Sequence, residues 1–134
     1  MSAERRLTYV DSSAIVKLAV AEPESAALRR YLSRHRPLVS SALARTEVAR
    51  ALMPSGPEAV ARGELVLRRI GLVRVNDRVL SEAGRMTPTE LRSLDAIHLA
   101  SARQLGSSVR QIVTYDERMA DAAKASGWAV SSPR

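Results

Sequence analysis

Apolar residues along this chain follow two different periods. Four short runs read as strands: Leu7-Thr8-Tyr9-Val10, Pro37-Leu38-Val39-Ser40, Leu72-Val73-Arg74-Val75 and Gln111-Ile112-Val113-Thr114. A weaker fifth is Trp128-Ala129-Val130. Between the runs, apolar positions recur at helical spacing. Residues 12–20 predict a helix with Ile15, Leu18 and Ala19 on one face. Glu22-Pro23-Glu24 breaks it and opens a second helix, in which Ala27, Leu28, Tyr31 and Leu32 recur. Helices are expected over 42–53 and 57–70, separated by Pro54-Ser55-Gly56, and over 77–83. Two more are expected over 93–105, after the turn-prone Thr87-Pro88, and over 117–125. This alternation predicts an α/β fold, a parallel sheet with helices on both faces. With no repeat, long linker or low-complexity tract, one domain over 1–134 is expected.

Composition adjusts that picture. The chain has 134 residues and is 46% hydrophobic, enough for one core. With no Phe, one Trp and three Tyr, the core must be aliphatic. The absence of Cys excludes a disulfide framework and a thiolate zinc site. Arg5 and Arg6 ahead of an apolar run resemble a secretory signal on the surface. Asp11 and Lys17 interrupt the run, however, and nothing approaches the roughly 20 apolar residues of a membrane span. A soluble, cytoplasmic protein is expected.

The formal net charge is +7, which favours a polyanionic partner such as nucleic acid. Arg outnumbers Lys 19 to 2, so a GC-rich genome is a competing explanation for the basic balance. With few aromatics, contacts to a nucleic acid would run to phosphates more than to stacked bases.

The placement of the acids matters more than their number. Asp11 follows the first strand and Asp116 comes two residues after the fourth. Sites in open α/β sheets form outside the carboxyl ends of strands. Each residue also precedes a helix, and an N-cap role would explain either one. At roughly 100° per residue, Glu47 falls inside an apolar sector with Ala44 and Val48, and Asp95 lies between Leu99 and Ala102. A carboxylate on an apolar face is costly unless paired or metal-bound. An Arg partner for Glu47 and first-turn dipole stabilisation of Asp95 are the structural alternatives. If all four converge, oxygen-only ligation selects hard ions such as Mg²⁺ or Mn²⁺. An acidic metal pocket in a basic protein suits phosphodiester hydrolysis. His35, within Arg34-His35-Arg36, reads as solvated, and His98 as a packed, hydrogen-bonded residue.

The motifs themselves carry a resemblance. Tyr9-Val10-Asp11-Ser12-Ser13-Ala14 resembles the opening motif of PIN domains, and Thr46-Glu47-Val48 their helical Glu motif. Leu94-Asp95-Ala96-Ile97-His98-Leu99-Ala100 is close to the family's DAIHLA signature. Val113-Thr114-Tyr115-Asp116, with Met119, Ala122, Ala123 and Gly127, resembles the closing motif. The four occur in order over residues 8–127. The resemblance implies a five-stranded parallel sheet in order 3-2-1-4-5. It also implies that Asp11, Glu47, Asp95 and Asp116 bind Mg²⁺ or Mn²⁺, with Thr114 and Ser12 in support. The implied activity is endoribonuclease hydrolysis leaving a 5′-phosphate. Some relatives add a fifth acid, for which Glu117 and Asp121 are candidates. The chain's length is similar to that of VapC toxins, which implies homodimerisation and a VapB-type antitoxin. By analogy that partner would dock on residues 42–70, against Leu52, Met53, Val60, Leu65 and Leu67.

Four other readings compete, one of them a non-catalytic PIN-like binding module, against which all four acids are retained. A PIN nuclease of RNA processing, outside any toxin pair, would share the same acids. A phospho-receiver domain needs an Asp ending its third strand and a later Lys. Here Val75-Asn76-Asp77 stands at the first place and no Lys at the second. A haloacid-dehalogenase-type phosphatase needs a second Asp two residues after the first, where this chain has Ser13.

Overall fold

The structure is a computed structural model that describes residues 6–134. Arg5, half of the charged pair ahead of the signal-like run, lies outside the described residues. No helix among those residues is long and apolar enough to cross a membrane.

Five strands, β1 (Leu7–Val10), β2 (Leu38–Ser41), β3 (Gly71–Val73), β4 (Val109–Val113) and β5 (Val130–Ser131), form one sheet. The spatial order is β3-β2-β1-β4-β5 and every pairing is parallel. Seven helices connect them: α1 (Ser12–Ala19), α2 (Ser25–Ser33), α3 (Ala44–Leu52), α4 (Pro57–Leu67), α5 (Asp77–Gly84), α6 (Ser93–Leu105) and α7 (Glu117–Ala125). The α/β layout and the strand order both match the sequence expectation.

Strand side chains alternate faces, so each strand feeds two cores. Val10 and Val113 pack with Ile15, Leu28, Val48 and Leu52 of the α1–α4 layer. Their neighbours Tyr9 and Ile112 pack on the other face with Leu99, Met119 and Ala123 of α6 and α7. Three helices begin on side-chain caps. Asp11 accepts from the Ala14 N–H, Asn76 from Val79, and Asp116 from Arg118 and Met119. Pro57 opens α4 after Gly56, whose φ of 96° carries the chain out of the Met53–Ser55 3-10 turn.

Some boundaries shift from the expected ones. The third strand pairs Gly71 to Val73 with Val39 to Ser41 and stops where β2 stops, so Arg74 and Val75 have no strand beside them. The fifth starts at Val130, because the Trp128 N–H bonds back to the Ala123 carbonyl and closes α7 instead. Residues 53–55 form a 3-10 turn rather than the end of α3, and α4 ends at Leu67 rather than residue 70.

Candidate active site

The carboxyl ends of β1 and β4 lie side by side, with Val10 opposite Val113. Asp11 and Thr114 are the next residues out. Thr114 donates its hydroxyl to Asp11 Oδ2 at 2.5 Å. Thr114 Oγ1 in turn accepts the Asp116 N–H at 3.0 Å. Asp11 Oδ1 accepts from the Ser13 hydroxyl at 2.6 Å and the Ala14 N–H at 3.1 Å. Ser13 Oγ in turn accepts the Tyr115 N–H at 2.9 Å. Asp11 is thus an N-cap and the centre of a polar network, so the two roles are not exclusive. Burial pushes its carboxyl above the ordinary range, in spite of the Ser13 and Thr114 hydrogen bonds.

Glu47 sits in the first turn of α3, half-buried. Its Oε1 accepts from Ser12 Oγ at 2.6 Å and from His98 Nε2 at 2.6 Å. Burial works to raise its pKa, but the His98 hydrogen bond and charge, together with Ser12, hold it below the usual value. The partner Glu47 meets is His98, not the Arg of the structural alternative. The reason is tertiary: α6 lies against β2, which places His98 beside α3. Of the two residues expected in support, Ser12 donates to Glu47 and Thr114 to Asp11.

Asp95 occupies the first turn of α6. Its Oδ2 is buried and has no hydrogen-bond partner. Burial raises its pKa, the Asp116 charge raises it further, and Asp11 adds to the effect against Arg92 and His98. Asp116 caps α7, with Oδ1 accepting from Arg118 at 2.9 Å and Met119 at 3.2 Å. Asp95 thus feels the charges of Asp116 and Asp11, and His98, which lowers the Asp11 and Asp95 carboxyls, is bonded to Glu47. Among the described residues no three His, Asp or Glu side chains are arranged, as they stand, to hold a metal ion. The donor chemistry still suits one: an orphaned carboxylate oxygen among further carboxylates, with no thiol in the chain.

Other candidates fall differently. Glu117 and Asp121 are exposed. Asp121 lines a cleft of about 560 Å³ that reaches Asp95 and includes Leu91, Arg92 and Arg118. His35 is not simply solvated: its Nδ1 lies 2.6 Å from the Tyr31 carbonyl oxygen and its ring stacks on Tyr31 at 4.0 Å. The roles of Ser13 and Tyr9 were missed in the sequence. Both lie in the opening motif, which was the available signal. Of the apolar residues expected on the α3–α4 surface, Met53 and Leu65 are exposed and Val60 is half-buried. Leu52 and Leu67 are in the core instead, in the cluster that holds Ile15, Leu28 and Val48.

Comparison with known proteins gives a consistent picture. The family model of the PIN domain matches residues 8–125. Ribonuclease VapC46 of Mycobacterium tuberculosis is 58% identical over 125 residues, covering 93% of this chain and 96% of that protein. Ribonuclease VapC35 of the same species is 38% identical, covering 95% and 97%. Among solved structures, M. tuberculosis VapC20, a sarcin-ricin loop cleaving toxin, superposes with a TM-score of 0.74. It is 19% identical, over 94% of this chain and 99% of that one.

Proposed function

The chain belongs to the PIN-domain family and, within it, to the VapC ribonucleases, and on that premise we propose that it is a divalent-metal-dependent endoribonuclease serving as the toxin of a type II toxin–antitoxin pair. One observation carries the reading: Asp95 Oδ2 is buried without a partner while Asp116 and Asp11 oppose its ionisation. A carboxylate so placed is costly unless a cation satisfies it. Asp11, Glu47, Asp95 and Asp116 are the residues that would hold Mg²⁺ or Mn²⁺. Bound there, the ion would neutralise phosphate charge and acidify a water for phosphodiester hydrolysis.

The chain's own residues set the stage. Thr114 and Ser13 orient Asp11, Ser12 and His98 orient Glu47, and the α7 cap orients Asp116. Arg92 and Arg118, beside Asp95 in the cleft, are placed to take phosphates flanking the cleaved bond. The partner would be a VapB-type antitoxin whose C-terminal segment covers the α3–α4 surface. Homodimerisation and action in the cytoplasm belong to the same reading.

The test is cleavage of RNA by purified protein, with 5′ ends mapped. Mg²⁺ or Mn²⁺ should support cleavage, EDTA should stop it, and Asp11→Asn or Asp95→Asn should lower it more than about 100-fold, beyond the cost of losing a mere supporting contact. Cleavage that persists in EDTA would sink the metal-dependent reading.

A further inference from the structure

Tyr9 and His98 are fully or almost fully buried polar side chains, and the Tyr9 hydroxyl has no part in the chemistry proposed above. Tyr9 lies on β1, facing α6, with its hydroxyl 2.7 Å from His98 Nδ1. The two rings meet edge to face, 5.8 Å apart and at 84°. His98 Nε2 then lies 2.6 Å from Glu47 Oε1. The acceptor at the end is a carboxylate, which fixes the direction of the chain. Nε2 carries the proton and donates to Glu47, so in the neutral ring Nδ1 accepts the Tyr9 O–H. Ser12 donates to the same Glu47 oxygen.

We propose that Tyr9 and His98 are positioning residues that lock Glu47, so that this carboxylate offers Oε2 to a divalent cation. Two short hydrogen bonds to a carboxylate oxygen occupy its lone pairs and fix the plane of the group. Oε1 receives both, and in this proposal Oε2 is the oxygen that meets the cation. The ring and the phenol tie α3 to α6 and β1. A histidine that merely filled the core would need a partner for each nitrogen, but neither partner would have to be a candidate ligand. The inference rests on the reading of Glu47 as a ligand.

The experiment measures Mn²⁺ affinity by titration calorimetry, with unfolding in EDTA as a separate readout. His98→Gln places an amide donor near the Nε2 position, whereas His98→Asn stops short, near Nδ1. Supporting contacts to metal ligands are worth about 10–100-fold in affinity. His98→Asn should therefore weaken Mn²⁺ binding by about 10-fold or more, and His98→Gln should restore it to within about threefold of wild type. Tyr9→Phe removes only the hydroxyl. It should weaken binding severalfold alone and have no further effect when added to His98→Gln. This second variant decides the matter if His98→Asn does not fold. Equal losses in the Asn and Gln variants, or wild-type affinity in Tyr9→Phe, overturn the proposal. Glu47→Gln separates the levels. If it leaves Mn²⁺ affinity unchanged, the ligand reading of Glu47 fails and the positioning role fails with it. If it weakens binding while the His98 and Tyr9 variants do not, only the positioning role fails.

Discussion

Thr114 holds two acids with one hydroxyl, donating to Asp11 and accepting from the Asp116 backbone. It is fully buried, so water cannot replace either bond. Thr114→Val keeps the shape and removes both. Leaving a buried carboxylate and an N–H short of a partner should cost about 1–3 kcal/mol in a denaturant titration. RNA cleavage should fall by about 10–100-fold, as for other contacts that orient ligands, and Thr114→Ser should recover most of both losses. A valine variant with wild-type stability and rate would show that Asp11 is held by Ser13 and Ala14 alone. At this scale the sequence went far, because Asp11, Thr114 and Asp116 follow strand ends and a strand end fixes which edge of the sheet a residue reaches. It could not divide the labour of Ser12 and Ser13. Neighbours at a helix start point about 100° apart, and which carboxylate each one meets depends on where α3 comes to lie.

Elements were legible where periodicity was long and illegible where a partner strand decided the boundary. The short β3 and β5 end where β2 and β4 offer pairing, a fact about neighbours rather than about their own residues. His98 shows the same limit across elements. Its place one turn after Asp95 was visible, and so was its packed, hydrogen-bonded character. That it would answer Glu47 depended on α6 lying beside α3. Close packing of α3 on α4 also had a sequence mark in Gly63, which is buried in α4. A Cβ there would meet Leu52 Cδ1 at 2.6 Å and Val48 Cγ1 at 3.1 Å. Both neighbours are buried core side chains. Gly63→Val should therefore destabilise the fold by about 1–3 kcal/mol through overpacking, against the helix propensity it gains. Thermal unfolding checks this, and a variant as stable as wild type would mean that α4 can move away from α3 freely.

Across the whole molecule two surfaces with different chemistry are separated. The acids gather at the carboxyl edge of the sheet, whereas Met53 and Leu65 lie exposed around α4, with Val60 half-buried between them. Met53 and Val60 share a shallow groove, and Leu65 lies in another with Leu18 and Val66. Met53 belongs to the turn before α4, and Val60 and Leu65 to α4 itself; contiguous exposed apolar surface is what marks a docking face. The antitoxin reading requires the apolar side chains of a partner segment to be buried there, as helix-in-groove recognition does. Met53→Asp with Leu65→Asp changes that face without touching the core or any proposed metal ligand. The double variant should fold, cleave RNA at the wild-type rate and fail to co-purify with the antitoxin, remaining toxic when the two are co-expressed. Burying two carboxylates against an apolar partner should weaken the complex by at least about 100-fold. Sedimentation of the free toxin separates the rival use of the same face. If the double variant turns monomeric yet still binds the antitoxin, the face is the homodimer interface. If neither assembly changes, the partner docks elsewhere and the nuclease reading stands without it.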